Sequence, residues 1–349
     1  MIQKKIFVGD CELHASKGKV EGAYVERGGE LFYRIRNHDR MDPFFMSIVS
    51  DSNHWMFISS NGALTCGRRN PESALFPYYT EDKIQDAQDQ TGPKTIILVA
   101  GEDADRLWEP FSTRHEGFYE TERNLYKNIP GNKLVFQEIN HTLNLSFSYE
   151  WLSSDRFGFV RKATLSNLGN DSVRCRFVDG LQNLLPANVE RDMQSAFSTL
   201  VDAYKKNELL PESGIGIYAL SSVPVDRAEP SESLTANTVW STGLNEPVYF
   251  IGAQQLDAFR RGESIEQQMD VCGMRGAYFV QSQAGLSAGE SKDWFLVAEV
   301  DQDACAIAEL EQNRPSEAEL LADVEQGTEN LCEIVAQADG IQTGGDRLQ

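Results

Sequence analysis

The residues best suited to chemistry fall in two segments. The first, CGRRNPESALFPYYTEDKI (66–84), sets Arg68, Arg69, Asn70, Glu72, Tyr78, Tyr79, Asp82 and Lys83 around Pro71 and Pro77 with no regular period. Guanidinium, amide and carboxylate groups hydrogen-bond sugar hydroxyls while a tyrosine face covers the apolar side of a pyranose, so this mixture suits carbohydrate. Arg68, Arg69, Asn70, Tyr78 and Tyr79 are the candidate contacts. The competing reading is a proline-stiffened loop whose tyrosines pack on the body and whose arginines pair with nearby acids. On the sugar reading, replacing Arg68 and Arg69 together by alanine leaves the isolated fold intact.

The second segment, STRHEGFYETERN (112–124), holds Arg114, His115, Glu116, Tyr119 and Glu122 close enough for an acid–base or polar network. Arg114, His115 and Glu116 are further candidate substrate contacts. Read as a strand, this segment points adjacent residues to opposite faces, so a proton-moving pair needs a partner such as His141 or His54. His14 and His38 stand in polar surroundings without ligand spacing and read as surface residues.

Other chemistry finds no signature. There is no nucleophile elbow, phosphate loop, HExxH helix or dinucleotide fingerprint. No residue is assigned a catalytic role, and no cofactor or metal site is expected. Carboxylate runs such as Glu102, Asp103 and Asp105 read as solvated faces in so acidic a chain. The six cysteines are single and far apart, with no CxxC pair, and are expected to be reduced and mostly buried.

Charge narrows the partners. The 349 residues carry 32 basic and 53 acidic side chains, a net −21, which repels phosphate backbones and anionic lipid. No nucleic acid and no membrane is expected. The start has no apolar run of signal-peptide length, so the expected location is cytoplasmic.

The elements that must position these groups are mostly strands. In HTLNLSFSYEW, Leu143, Leu145, Phe147, Tyr149 and Trp151 alternate with Asn144, Ser146, Ser148 and Glu150, the pattern of a strand with one buried and one wet face. Phe157, Phe159, Ala163 and Leu165 repeat it, and so do Val173, Cys175 and Phe177 beyond the turn at 167–170. These two read as a long two-stranded ribbon. GAYVERGGELFYRIR is a hairpin with Gly28-Gly29 at its tip, FFMSIVSDSNHWMFISSNG another with its turn at 51–53, and Asn61-Gly62 marks a third turn. Further strands are expected at 94–99, 115–122, 133–139, 214–220, 235–242, 248–252, 276–281 and 293–300. A helix is expected at 192–207, where Met193, Phe197, Leu200, Val201 and Tyr204 fall at helical spacing. So many strands without crossover helices exclude a βαβ sheet and predict a mainly β fold, a large antiparallel β-supersandwich over 1–300.

After residue 300 the period changes. Asp301 can cap a short helix ending at Gln312, and Ser316 with Glu319 forms a capping box for a second, carrying Leu320, Leu321, Val324, Leu331, Val335 and Ala338 on one side and interrupted by Gly327. Residues 301–349 hold 12 acidic and 2 basic side chains and read as an acidic helical linker. The closing GIQTGGDRLQ supplies no terminating element, so a further domain is expected to follow.

EGFYETERNLY, NLSFSYEW, RFGFVRKATLSNLGNDSVRCRFVDGLQNLLP and the acidic helices ahead of ADGIQTGGDRLQ together resemble the N-terminal region of cellobiose and chitobiose phosphorylases. The resemblance spans essentially the whole chain and rests on structural strands and turns. It implies a galactose-mutarotase-like supersandwich, a helical linker and then an (α/α)6 barrel that would hold the general acid and the sugar- and phosphate-binding residues beyond Gln349. The implied function is that of a carbohydrate-associated, non-catalytic domain that shapes substrate access in a glycoside phosphorylase or hydrolase. Its implied partners are an oligosaccharide, met through the full-length enzyme, and a C-terminal helical catalytic domain. A homodimer through the uncovered helix stripe is a further option. Two alternatives stand beside this: a self-contained aldose epimerase, since mutarotases move protons with histidines and a glutamate, and a stand-alone carbohydrate-binding module.

Overall fold

The computed structural model describes residues 5–14, 18–78, 81–224 and 232–338. Among these, an 11-stranded antiparallel sheet is faced by a five-stranded and a three-stranded sheet. The long sheet runs, edge to edge, through Asp270–Cys272, Lys205–Leu210, Ile215–Leu220, Thr235–Thr242, Ser291–Asp303, Gly158–Asn167, Leu145–Ser154, Leu134–Asn140, Thr121–Asn128, Glu30–Arg36 and Glu21–Arg27. The five-stranded sheet orders Val248–Phe250, Gly276–Leu286, Val173–Leu184, Gly92–Val99 and Arg106–Trp108, and the third is Phe45–Ile48, His54–Ser59 and Leu64–Arg68. Phe147, Trp151, Phe159 and Trp294 of the long sheet share one core with Phe177, Leu181 and Tyr278 of the second and Met56, Ile58 and Leu64 of the third. The fold is therefore the expected mainly β antiparallel sandwich, with period-two side chains filling the layer between sheets.

The ribbon reading is corrected. Gly158–Asn167 and Val173–Leu184 do not pair, because they lie in different sheets. The intervening turn carries the chain across the sandwich, and Asn167 ties it down by donating to the carbonyls of Asp171, Leu286 and Ser287. Both strands show an inward apolar set because each lines the same core from opposite sides.

That core contains a charge pair. Arg161 and Asp179 are fully buried, with Nη1 of Arg161 2.7 Å from Oδ2 of Asp179 across the two layers. The Trp294 indole donates to Asp179 Oδ2 at 2.6 Å, Thr95 donates to Oδ1 at 2.6 Å, and the guanidinium lies 4.8 Å over the Tyr149 ring. Burial of charge is tolerable only with this degree of pairing and hydrogen bonding.

Other expectations change in instructive ways. Ser146 and Ser148, expected on a wet face, are buried. Residues 115–118 are turns and the strand begins only at Thr121, because Asp89 accepts hydrogen bonds from the N–H and hydroxyl of Thr113 and holds this stretch as a loop. The expected helix at 192–207 splits into Arg191–Ala196 and Ser198–Tyr204. It ends there because Lys205, Asn207 and Leu209 bury with period two in a strand. Only Cys66 and Cys175 of the six cysteines are buried, and all six are unpaired.

At the far end, pairing with Thr235–Thr242 extends the last strand to Asp303, so Asp303 and not Asp301 caps the helix Ala304–Gln312, accepting from the Ala306 N–H at 2.8 Å. The expected capping box of Ser316 and Glu319 opens the helix Glu317–Gln337, which passes Gly327 without a break. Leu320 and Val324 bury on the outer face of the long sheet against Leu152, Val160, Trp240, Phe295 and Val297. A Cβ on Gly327 would stand 3.0 Å from Asp51, whose carboxylate accepts from Asn330 at 2.8 Å, so glycine there permits close approach to the 51–53 turn. Further along, Ile334 and Val335 are 51% and 60% exposed. The terminal GIQTGGDRLQ lies outside the described residues, among which no helix is long and apolar enough to cross a membrane.

Candidate functional site

Arg68 ends the strand Leu64–Arg68 and is 15% exposed. Its Nη2 lies 2.7 Å from Glu299 and donates to the Asp155 carbonyl at 2.6 Å, while Nη1 reaches Asn53 at 3.3 Å. Three chain segments are joined by this one guanidinium. Burial raises the Glu299 carboxyl to about 7 even with Arg68 beside it. Arg68→Ala is thus expected to destabilise the isolated chain by about 2–3 kcal/mol, the scale of a charged hydrogen-bonding group left partly unpaired, read as a lower urea midpoint. This replaces the expectation of an intact fold. Arg69, with φ +61°, and Asn70 form the exposed turn that follows, where the Asn70 carbonyl accepts from the Trp55 indole at 3.2 Å. Tyr79 lies outside the described residues.

Tyr78 has a different setting. Its N–H donates to Gln194 Oε1 at 2.8 Å, its ring meets Trp55 edge-on at 5.6 Å, and the Arg191 guanidinium lies 5.9 Å over it. It borders a cavity of about 420 Å³ also lined by Asn183, Arg191, Gln194, Lys205 and Arg275. The volume falls inside the range of about 300–1,000 Å³ usual for small-ligand sites. Three features of the fold build the site. The strand Val173–Leu184 bulges between Gln182 and Leu184, leaving Asn183 at φ +59° with its amide donating to Thr91 at 2.8 Å. The two short helices after Glu190 form a second wall, and Lys205, buried and 2.7 Å from Asp202, forms the floor. Arg275 enters from the turn before Gly276, which pairs with Leu184.

The second segment forms a separate, tighter cleft. His115 and Glu116 both line it, because a turn lacks the strand's alternation, and His14, Asp39, Glu109 and Arg123 join them. Neither His141 nor His54 does: His141 lies 4.0 Å from Glu122, and His54 is buried between Ser52 and Phe159. One histidine reading is corrected here, since His38 is buried, whereas His14 is exposed as expected and borders the cleft. The cleft measures about 60 Å³, far below the usual ligand-site range. Burial alone would raise the Glu109 carboxyl, but Arg260, bidentate at 2.9 and 3.0 Å, and Lys94 hold it below the ordinary range. His115 Nδ1 stands 3.6 Å from Glu109, too far for a good hydrogen bond, and burial lowers its pKa. Arg114 is mostly exposed and 3.4 Å from Asp257.

No family model matches the sequence. No curated protein matches it either. Solved structures similar to it include a bacterial glucoamylase complexed with acarbose, at 8% identity and TM-score 0.48, covering 93% of this chain and 40% of that one. Heparinase III matches at 12% identity and TM-score 0.33, over 78% of this chain and 36% of the other. A protein from Escherichia coli K12 described as an aldose 1-epimerase matches at 10% identity and TM-score 0.35, over 74% of this chain and 99% of its own. The chain thus spans about two-fifths or less of the length of the glucoamylase and the heparinase. At these identities and scores the likenesses bear on no residue's role.

The 66–84 segment supplies Tyr78 and Lys83 to the cavity, but sequence reasoning did not reach its other polar residues. Asn183, Arg191, Lys205 and Arg275 are scattered over 93 positions and meet only through strand pairing. The one local mark was Gln182-Asn183, a polar pair inside the apolar run GLQNLLP.

Proposed function

We propose that this chain is a carbohydrate-associated, non-catalytic supersandwich that holds a saccharide in the Tyr78 cavity and shapes substrate access within a longer glycoside phosphorylase or hydrolase. The observation that carries the reading is an aromatic face beside convergent amide and guanidinium groups in a cavity of ligand size. The tyrosine covers the apolar side of a ring, and Asn183, Gln194 and Arg275 address its hydroxyls. In that longer protein the outer half of the last helix, with Ile334 and Val335, is the surface offered to a helical catalytic domain. Tyr78→Ala is expected to weaken oligosaccharide affinity at least tenfold in calorimetric titration, the scale of one lost stacking contact, while the urea midpoint moves little. Equal affinity in the variant would refute the assignment.

A second reading, a self-contained aldose epimerase, draws on His14, His115 and Glu116 in one cleft. Its small volume and the commitment of Glu109 to Arg260 and Lys94 count against it. Polarimetric detection of anomer interconversion that disappears in His115→Ala would establish it in place of the first.

A further inference from the structure

The Tyr78 cavity has a charge opposite to that of the protein. Among the described residues, Lys83, Arg191, Lys205 and Arg275 line it together with Asp192 and Asp202, in a chain whose net charge is −21. Lys205 is already committed to Asp202 at 2.7 Å. Among the described residues, no carboxylate stands within ion-pair distance of Lys83, Arg191 or Arg275. Elsewhere in this acidic chain cations find acids readily: Arg260 holds both Glu109 and Asp257, and Lys133 holds both Glu30 and Glu325. Cations left facing a ligand-sized cavity in such a background concentrate positive potential where low-dielectric walls focus it.

We infer that the cavity takes a saccharide bearing an anionic group, with Arg191 and Arg275 receiving that group and Tyr78 covering the ring. This rests on the saccharide reading above and adds the chemical class of the ligand. A guanidinium presents a planar pair of donors that matches a carboxylate, sulfate or phosphate, and it remains charged at any working pH. Arg191 over the Tyr78 ring puts the charge site next to the stacking face, so a substituent on the stacked ring reaches it without extending the cavity. Asn183, whose amide donates to Thr91 on the bulge, lines the same cavity and offers its amide oxygen to a neutral hydroxyl.

The test is calorimetric titration of the full chain with a neutral cello-oligosaccharide and with versions of it carrying a carboxylate, a sulfate ester or a phosphate ester. At low salt the anionic ligand is expected to bind at least tenfold more tightly than the neutral one, with the advantage shrinking in 0.3 M salt. Which of the three anions binds best identifies the source. Arg191→Gln with Arg275→Gln should abolish the advantage, so that neutral and anionic sugars bind the double variant alike, and should leave the urea midpoint in place, since both side chains are exposed and neither supports the core. Equal affinity for neutral and charged sugars would overturn the anionic preference while leaving the saccharide site standing. Binding of none of these sugars would overturn both readings. Inorganic sulfate binding as tightly as the sulfated sugar would reduce the cavity to an ion site and also contradict the inference.

Discussion

Asp179→Ala is expected to lower the unfolding free energy by about 3–5 kcal/mol, the loss seen when one partner of a buried pair is removed. Three groups bond to this carboxylate. Arg161, fully buried, would keep its charge with only Thr95 at 3.4 Å and the Tyr149 face for company, and the Trp294 indole and Thr95 hydroxyl would lose their acceptor. For a chain of this length the midpoint of thermal unfolding should fall by about 4–7 °C. The double replacement Arg161→Met with Asp179→Leu removes both charges together and should recover most of the loss, because apolar side chains of similar size fill the same layer. Failure of Asp179→Ala to shift the midpoint would mean that the two layers do not meet at this pair.

Acid is expected to destabilise the protein through two histidines that fold neutral. Burial lowers His38 to about 4 and His54 to about 3, with the Arg123 and Arg68 charges adding to the respective shifts. Their unfolded value is near 6.5, so between pH 6.5 and the folded values the unfolded chain binds more protons, and stability is lost as pH falls. At pH 4 each histidine takes away about 3 kcal/mol relative to neutral pH. Glu299 acts in the opposite sense: its raised carboxyl, about 7, favours the folded state below the unfolded value near 4.5 and loses that stability as pH rises through 7. It offsets about half of the histidine effect. Urea midpoints at pH 7 and pH 4 measure the net loss. His54→Gln should be less stable than the parent at pH 7 yet lose less on acidification. Imidazole resonances of His38 and His54 titrating near 6.5 in the folded protein would dispose of this account.

Local pattern revealed the strands and withheld the layers. Leu145, Phe147, Tyr149 and Trp151 alternate so regularly that their strand is legible, as are the hairpin tip at Gly28-Gly29 and the Ser316 box, because each depends on residues within a few positions. Sheet membership depends on pairing between distant segments. Nothing near 167–172 states that the chain changes sheets there, and only the partners Ser291–Asp303 and Gly276–Leu286 settle it. One signal of the layers does lie in the local pattern. Arg161 falls in phase with Phe159 and Ala163, and Asp179 with Cys175 and Phe177, so each inward set contained one charge of opposite sign. Such a coincidence on two strands points to a pair across a core.

The candidate site divides along the same line. Within the loop at 66–84 the arginine and the tyrosine do different work: Arg68 turns inward to Glu299, whereas Tyr78 borders the cavity. Spacing along a loop without a period cannot separate these outcomes, because they are fixed by what the rest of the chain places opposite each side chain. His115 and Glu116 illustrate the reverse case, in which a turn brought together two residues that strand alternation would have parted.

The most direct measurement is chemical-shift mapping of the isotope-labelled chain during titration with an oligosaccharide. The account predicts shifts centred on the side-chain amides of Asn183 and Gln194 and the ring of Tyr78, saturating with ligand, and a silent His115 imidazole. Shifts centred on His14 and His115 with the Asn183 and Gln194 amides unmoved would contradict it.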